Sequence, residues 1–328
     1  MLKIGLLGAG RIGVTHARAV QSVAGAEIAA VFDPVDAAAE AVMAFTGAKR
    51  ASVEAILADP EIGAVIIATP TDLHADQIEL AARAGKSIFC EKPIDLDAGR
   101  VRDCLKVVEQ AGVHLMVGFN RRFDPSFQRV KTELDRGTAG EVELIQITSR
   151  DPSAPPVDYI GRSGGLFRDM MIHDLDMARF LLGEEVSEVR ATGAALTDPA
   201  IGEAGDVDTA CALLKTASGK QAVITNSRRA TYGYDQRVEV HGSRGLVMAD
   251  NPKTTTVVTA NAAGYQDEPL MDFFMERYAE AYSRELESFC RLLQGESVSV
   301  PDGQDGLQAL LLADAAEEAM KTGKTVFL

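Results

Sequence analysis

Leu2-Lys3-Ile4-Gly5-Leu6-Leu7-Gly8-Ala9-Gly10-Arg11-Ile12-Gly13 decides the fold: a short apolar run breaks into three glycines spaced G-x-G-x-x-G and passes into a helical pattern. Gly8 permits a tight turn, Gly10 lets the backbone approach a pyrophosphate, and Gly13 lets helix and strand pack closely. The helix N-terminus then aims its N–H groups at the phosphates. The spacing alone is a weak signal in 328 residues with 29 glycines, and a glycine-rich turn beside a surface Asp is the competing reading. Its surroundings give it weight. Ala17 to Val23 reads as helix, and Ala26 to Phe32 is a second apolar strand, ending at Asp33. Asp33 stands 20 residues beyond Gly13, where an acid hydrogen-bonds an adenosine ribose. A carboxylate accepts from free ribose hydroxyls and repels a 2′-phosphate, and no Lys or Arg lies between Asp33 and Lys49, so NAD is expected rather than NADP.

Outward from that stretch, strands and helices alternate. Asp36 to Phe45 reads as an Ala-rich helix, and Ala64 to Ala68 as a strand buried on both faces that ends at Thr69-Pro70-Thr71. Asp72 to Ala84 is helical, Lys86 to Cys90 is a strand leading to Glu91-Lys92-Pro93, Asp97 to Ala111 is helical, and His114 to Phe119 is a strand. This grammar predicts a doubly wound parallel sheet with its functional loops at the carboxyl ends of the strands.

After Asn120 the grammar changes, which divides the chain into a nucleotide-binding domain, 1–120, and an α+β domain, 121–328. Pro125 to Asp135 reads as helix, Glu141 to Ser149 as strand, Asp151 to Gly165 as a Pro- and Gly-rich loop, and Phe167 to Leu182 as helix. Val186 to Leu196, Val207 to Lys215, Gln221 to Ser227, Gln236 to His241, Gly245 to Ala249 and Thr254 to Thr259 follow as strands without intervening helices, the pattern of an open, antiparallel sheet. Helices near Met271 to Leu293 and Gly306 to Thr322 close the chain. Such a sheet packs one face on helices and offers the other to solvent or a partner subunit, and the expected assembly is a homo-oligomer, a tetramer.

Composition narrows the function. With 46% hydrophobic and 25% charged residues the chain can bury a sizeable core. A net charge of −15 without a basic stripe argues against nucleic acid as a partner. The first strand starts at residue 2 and no apolar run reaches membrane-spanning length, so the expected protein is soluble and cytoplasmic and touches no membrane. Cys90, Cys104, Cys211 and Cys290 show no C-x-x-C pairing and read as buried free thiols, with no metal site.

The glycine loop, Glu91-Lys92-Pro93 and Gly164-Gly165-Leu166-Phe167-Arg168-Asp169-Met170-Met171-Ile172-His173-Asp174 together resemble the glucose-fructose oxidoreductase / inositol dehydrogenase / rhizopine catabolism (Gfo/Idh/MocA) family, end to end. Phe89 to Pro93, Val117 to Asp124, Tyr232 to Asp235 and Ala281-Tyr282 look most like its bacterial inositol 2-dehydrogenases. The resemblance implies an N-terminal Rossmann domain, a C-terminal open sheet used for substrate contacts and subunit association, and NAD-linked oxidation of a polyol. Cofactor contacts are then expected from Gly8, Gly10, Arg11, Ile12, Gly13 and Asp33, and from Thr69, Pro70, His74, Glu91 and Lys92 on later loops.

Oxidising a secondary alcohol needs a base for its proton and a brace for the developing negative oxygen. Asp169 and His173 are four apart on a predicted helix, which puts both on one face, and Lys92 follows an inner strand. An ordinary Asp and a satisfied His on a helix face are the competing reading. The resemblance implies that Lys92, Asp169 and His173 are the catalytic set, with the histidine as proton acceptor. It also implies substrate contacts from Asn120, Arg121, Asp151, Arg168, Tyr234 and Tyr282, besides Asp169 and His173. Asn120 stands where some relatives have Met and Arg168 where some have an aliphatic residue, which bears on the substrate isomer. The expected reaction converts myo- or scyllo-inositol to a keto-inositol. Its rivals are oxidation of an aldopyranose at C1 and a non-catalytic, NAD-binding, sugar-sensing regulator.

Overall fold

The apolar runs of the first third pair in parallel. The computed structural model describes residues 1–328. In chain order the first elements are β1 (Leu2–Leu7), α1 (Arg11–Ser22), β2 (Ala26–Phe32), α2 (Asp36–Thr46), β3 (Lys49–Arg50), α3 (Val53–Ala58), β4 (Ile62–Ile67), α4 (His74–Arg83), β5 (Ser87–Cys90), α5 (Ala98–Ala111) and β6 (Leu115–Val117). The sheet order is β3-β2-β1-β4-β5-β6, so the strand order reverses between β1 and β4, where ligands bind in doubly wound sheets. Ala64, Val65, Ile66 and Ile67 on β4 are fully buried, because helices cover both faces of a parallel sheet.

The chain forms two units: 1–123 with Ala279–Leu310, and Asp124–Tyr278 with Leu311–Leu328. A single boundary after 120 therefore misplaces one late segment. α11 (Ala279–Leu293) packs on α1 and on the short 3₁₀ turn Asn120–Phe123, and Phe289 meets Phe89 edge-on. Val117 N donates to Pro301 O at 2.9 Å, and Gly303 and Gly306, at the start of α12 (Gly303–Thr322), sit against Leu105, Leu115, Ile94 and Val117. These contacts cover β6, the edge of the parallel sheet, a long-range requirement that chain order hides.

The second unit contains α6 (Pro125–Asp135), β7 (Val142–Arg150), α7 (Val157–Ser163), α8 (Ile172–Leu182), β8 (Val186–Ala194), α9 (Pro199–Glu203), β9 (Thr209–Thr216), β10 (Gln221–Ser227), β11 (Asp235–Gly242), β12 (Gly245–Ala249), β13 (Val258–Asn261), β14 (Gly264–Asp267) and α10 (Phe274–Arg277), with β15 (Val326–Phe327) at the end of the chain. Seven strands lie in the order β12-β11-β7-β10-β9-β8-β15. The sheet is mixed: all its pairs are antiparallel except β7 with β10. Ile145, Ile147, Ala222, Ile224, Val238 and Val240 form its buried row, and α8 lies against β7 and β10.

Three further expectations change. The strand expected at Thr254 to Thr259 is Val258–Asn261, paired with β14 in a separate exposed hairpin whose Tyr265 is 88% accessible. The Asp151 to Gly165 loop contains α7. Cys90, Cys104 and Cys290 are buried, but Cys211 is exposed, because side chains alternate along β9 and Ala210 and Ala212 take the inner row. Burial pushes the Cys104 and Cys290 thiols up to about 12 and about 11. No helix is long and apolar enough to cross a membrane.

Candidate functional site

Sterics fix the glycine loop of the first unit. Gly8 has φ +94°, and a Cβ there would stand 2.5 Å from Ala68 O, at the end of the neighbouring strand. A Cβ on Gly13 would fall on the Gly8 carbonyl oxygen, whereas a Cβ on Gly10 would meet nothing within 4 Å. The first two glycines named serve packing, and Gly10 leaves open the space a phosphate needs. α1 starts at Arg11 with no side-chain cap and no acid in its first turn, so its N-terminal N–H groups suit an anion. Arg11 is exposed and Ile12 half-buried. Asp33 is buried, with Oδ2 accepting from Ala9 N at 2.7 Å and Oδ1 from Val35 N at 2.8 Å. It thus pins the glycine loop, and each oxygen keeps a lone pair for a ribose hydroxyl. β3 brings Arg50 toward this corner, a neighbour that its distance in sequence from Asp33 concealed, but Asp36 holds its guanidinium.

The loops after β4 and β5 are tied to each other. His74 places Nδ1 2.8 Å from Pro93 O and Nε2 2.8 Å from Thr69 O, and Thr69 Oγ1 donates to Gln77. Burial holds the His74 imidazole below the usual histidine range despite the two carbonyls. His74 thus braces the two loops, its neutral ring donating one N–H to one of these carbonyls while its other nitrogen lies against the second. Pro70 is exposed at the loop tip, Lys92 is half-buried, and Glu91 is buried with Oε1 2.6 Å from His16 Nε2. Asn120 and Arg121 are buried in the 3₁₀ turn, and Tyr282 packs edge-on against His16.

In the second unit the helix expected over Phe167 to Leu182 opens with a π-helical segment, Phe167–Met171, before α8. Such wide turns occur frequently at functional sites. Asp169 lies in the π segment and His173 at the start of α8, both half-buried. Asp169 Oδ2 is 3.5 Å from Nη2 of Arg228, and Tyr159 Oη donates to Asp169 Oδ1 at 3.2 Å. Arg228 is 1% accessible, and its Nη2 also lies 4.0 Å from Asp206. Its Nε and Nη2 have no hydrogen-bond partner, so it acts on Asp169 as charge. Asp174, next to His173, accepts from Ser149 Oγ at 2.5 Å and Asn226 Nδ2 at 2.8 Å, which ties this part of α8 to β7 and β10. Arg168 pairs with Asp314 and Glu317 on α12 at 2.7 Å each. Successive helical residues diverge, which is why Arg168 and Asp169 take different partners. Tyr234 is buried against Phe273 and Tyr278, and Asp151 N donates to Ser227 O at 2.9 Å.

Residues 2–119 match the model of an oxidoreductase family with an NAD-binding Rossmann fold, and 127–248 match the GFO/IDH/MocA C-terminal domain. The chain belongs to the GFO/IDH/MocA oxidoreductase family. An inositol 2-dehydrogenase of Rhizobium meliloti (strain 1021) is 61% identical over 96% of each chain. The crystal structure of a myo-inositol dehydrogenase from Corynebacterium glutamicum ATCC 13032 superposes with a TM-score of 0.95 at 42% identity, covering 100% of this chain and 99% of that one. A scyllo-inositol dehydrogenase from Lactobacillus casei, solved with bound NAD(H) and scyllo-inositol, gives 0.92 at 32% identity, again with 100% and 99% coverage. Within this GFO/IDH/MocA chain, sequence reasoning overlooked Arg228, Asp206 and Tyr159 around Asp169, and His16 and Glu285 behind Glu91. Only His16 carried a signal, as a polar residue on the apolar side of α1 beside Ala17 and Val20.

Proposed function

We propose that the chain is an NAD-dependent inositol 2-dehydrogenase that oxidises one secondary alcohol of myo- or scyllo-inositol to a keto-inositol. The observation that carries this reading is the 61% identity, over 96% of both chains, to a protein named for that activity. Bound NAD⁺ supplies the two-electron acceptor. The glycine loop and the start of α1 hold its pyrophosphate, and Asp33 accepts from the ribose hydroxyls. Lys92 donates to the alcohol oxygen and stabilises its developing charge. His173 takes the hydroxyl proton, and Asp169, itself braced by Arg228 and Tyr159, compensates the imidazolium that results. Asn120, Arg121, Asp151, Tyr234 and Tyr282 contact the ring hydroxyls, which need donors and acceptors in many directions.

The second unit serves substrate binding and association into a homotetramer. Support comes from the outer row of its sheet, where Cys211 is exposed and Leu213, Val223 and Thr225 are half-exposed. The reading places the enzyme in the cytoplasm with the dinucleotide it consumes. Initial rates with NAD⁺ on myo-inositol, scyllo-inositol and glucose test it: inositol oxidation well above glucose is expected. Faster glucose oxidation would make it an aldopyranose dehydrogenase, and no NADH from any polyol would make it a regulator.

A further inference from the structure

The first unit holds a buried polar cluster with no part in the chemistry above. His16, on α1, is fully buried between the ring edges of Phe89 and Tyr282, with centroids 4.9 and 5.6 Å away. Its Nε2 stands 2.6 Å from Oε1 of Glu91, the residue that follows β5 and precedes Lys92. Its Nδ1 faces Oε1 of Glu285, on α11, at 4.0 Å. Glu285 is 0% accessible, and neither of its oxygens nor His16 Nδ1 has a hydrogen-bond partner. Three elements remote in sequence thus align two carboxyl groups across one imidazole.

We propose that His16 and Glu285 are a positioning pair for the Glu91-Lys92 segment: Glu285 stands as a carboxylic acid behind His16 Nδ1, and His16 Nε2–H holds Glu91 as a carboxylate beside Lys92, a role that rests on Lys92 acting as the donor proposed above. Donor counting supports this arrangement. A neutral imidazole offers one N–H and one lone pair. The N–H belongs with Glu91, whose Oε1 stands 2.6 Å from Nε2, and the lone pair on Nδ1 then needs a proton donor on the Glu285 side. An ionised Glu285 would leave Oε2 charged in apolar surroundings with no donor. Burial first, and the charge of Glu91 second, push the Glu285 carboxyl well above the usual carboxylate range.

The groups facing this pair are few. α1 contributes His16, the β5 end contributes Glu91, and α11 itself contributes Tyr282, one turn from Glu285. The turn packed on α11 carries Arg121 and Arg122, and Arg122 is held by Asp305. On the other side of Glu91, a Cβ at Gly118 would stand 3.2 Å from the carboxyl carbon, so the glycine makes room for the carboxylate over the end of β6. Held from α1 and seated on Gly118, Glu91 fixes the backbone that presents Lys92.

Urea unfolding of the full chain tests the protonation state without any turnover. A glutamate free in the unfolded chain ionises near pH about 4.3. Above that value the unfolded state releases a proton that folded Glu285 keeps, so the parent loses stability as pH rises, by up to about tenfold in its folding equilibrium per pH unit. Glu285→Gln keeps the shape and removes that loss. Its stability relative to the parent should therefore climb between about pH 5 and about pH 8. If Glu285→Gln is more destabilised at the higher pH, Glu285 is an ionised partner of an imidazolium and the proposal is wrong. Positioning is tested by His16→Leu against His16→Gln, whose amide can still donate to Glu91. We expect His16→Leu to lower kcat for inositol at least about tenfold with polyol KM little changed, and His16→Gln to recover most of the loss. Equal losses in both, or a loss confined to KM, overturn it. A parent with no inositol turnover would sink the assigned function and leave the urea result standing.

Discussion

Replacing Asp33 by Ala separates two jobs of one carboxylate. The substitution leaves the buried Ala9 N–H, now bonded at 2.7 Å, without an acceptor, a cost of about 1–3 kcal/mol. It also removes the acceptor for the ribose hydroxyls and the charge that repels a 2′-phosphate. Two unit charges about 4 Å apart interact by about 1 kcal/mol in bulk water and about 4 kcal/mol at an effective dielectric of 20. Arg50 does not cancel this repulsion, since its guanidinium donates to Asp36 and its charge is paired there. Even the weaker limit approaches the about 1.4 kcal/mol that corresponds to a tenfold preference. Initial rates at saturating inositol should show kcat/KM for NAD⁺ at least about tenfold above NADP⁺ in the parent. In Asp33→Ala the ratio should fall toward one, chiefly through loss of NAD⁺ efficiency. Equal use of both cofactors by the parent, or an unchanged ratio in the variant, would refute the reasoning.

Gly10→Ala should melt like the parent, since its Cβ meets nothing within 4 Å, yet bind NADH weakly in a fluorescence titration; Gly13→Ala should lower the melting temperature as well, because its Cβ lands on Gly8 O. Arg168→Ala should lose stability with its two carboxylate partners while polyol KM stays put, and a large rise in KM would place Arg168 at the substrate site. Asp235 sits below the usual aspartate range: burial works against ionisation, but hydrogen bonds from Arg237, Tyr232 and Asn251 outweigh it. Its stabilisation should be complete above about pH 4 and fade as pH falls through the lowered folded value, so the melting-temperature gap between parent and Asp235→Asn should close in acid.

Much of the fold was legible because local rules and tertiary demands agree in the parallel sheet. Ala64 to Ala68 reads as a doubly buried strand, and Ala64 to Ile67 lie fully buried in β4, while Gly8 and Gly13 have distinct steric reasons to lack side chains. What stayed hidden depends on contacts across long sequence separations. Nothing near Ala279–Leu310 announces that it belongs with the first unit, since the reason is the need to cover β6. The parallel β7–β10 pair is likewise a choice of topology that consecutive strand patterns do not encode. Asp169 and His173 were visible by their four-residue spacing, but the π segment and the buried Arg228 were not. A lone Arg after a strand carries no local mark of which carboxylate it will meet.

Single-turnover NADH formation by folded His173→Ala, followed across pH with inositol and saturating NAD⁺, tests the assignment of the base most directly. The parent should oxidise inositol faster as pH rises through one apparent ionisation, because only a neutral imidazole accepts the alcohol proton. The variant should lose that limb and about 10²- to 10⁴-fold in rate while still binding NAD⁺. A folded His173→Ala that reduces NAD⁺ within a few fold of the parent, with the limb intact, would show that His173 is not the base.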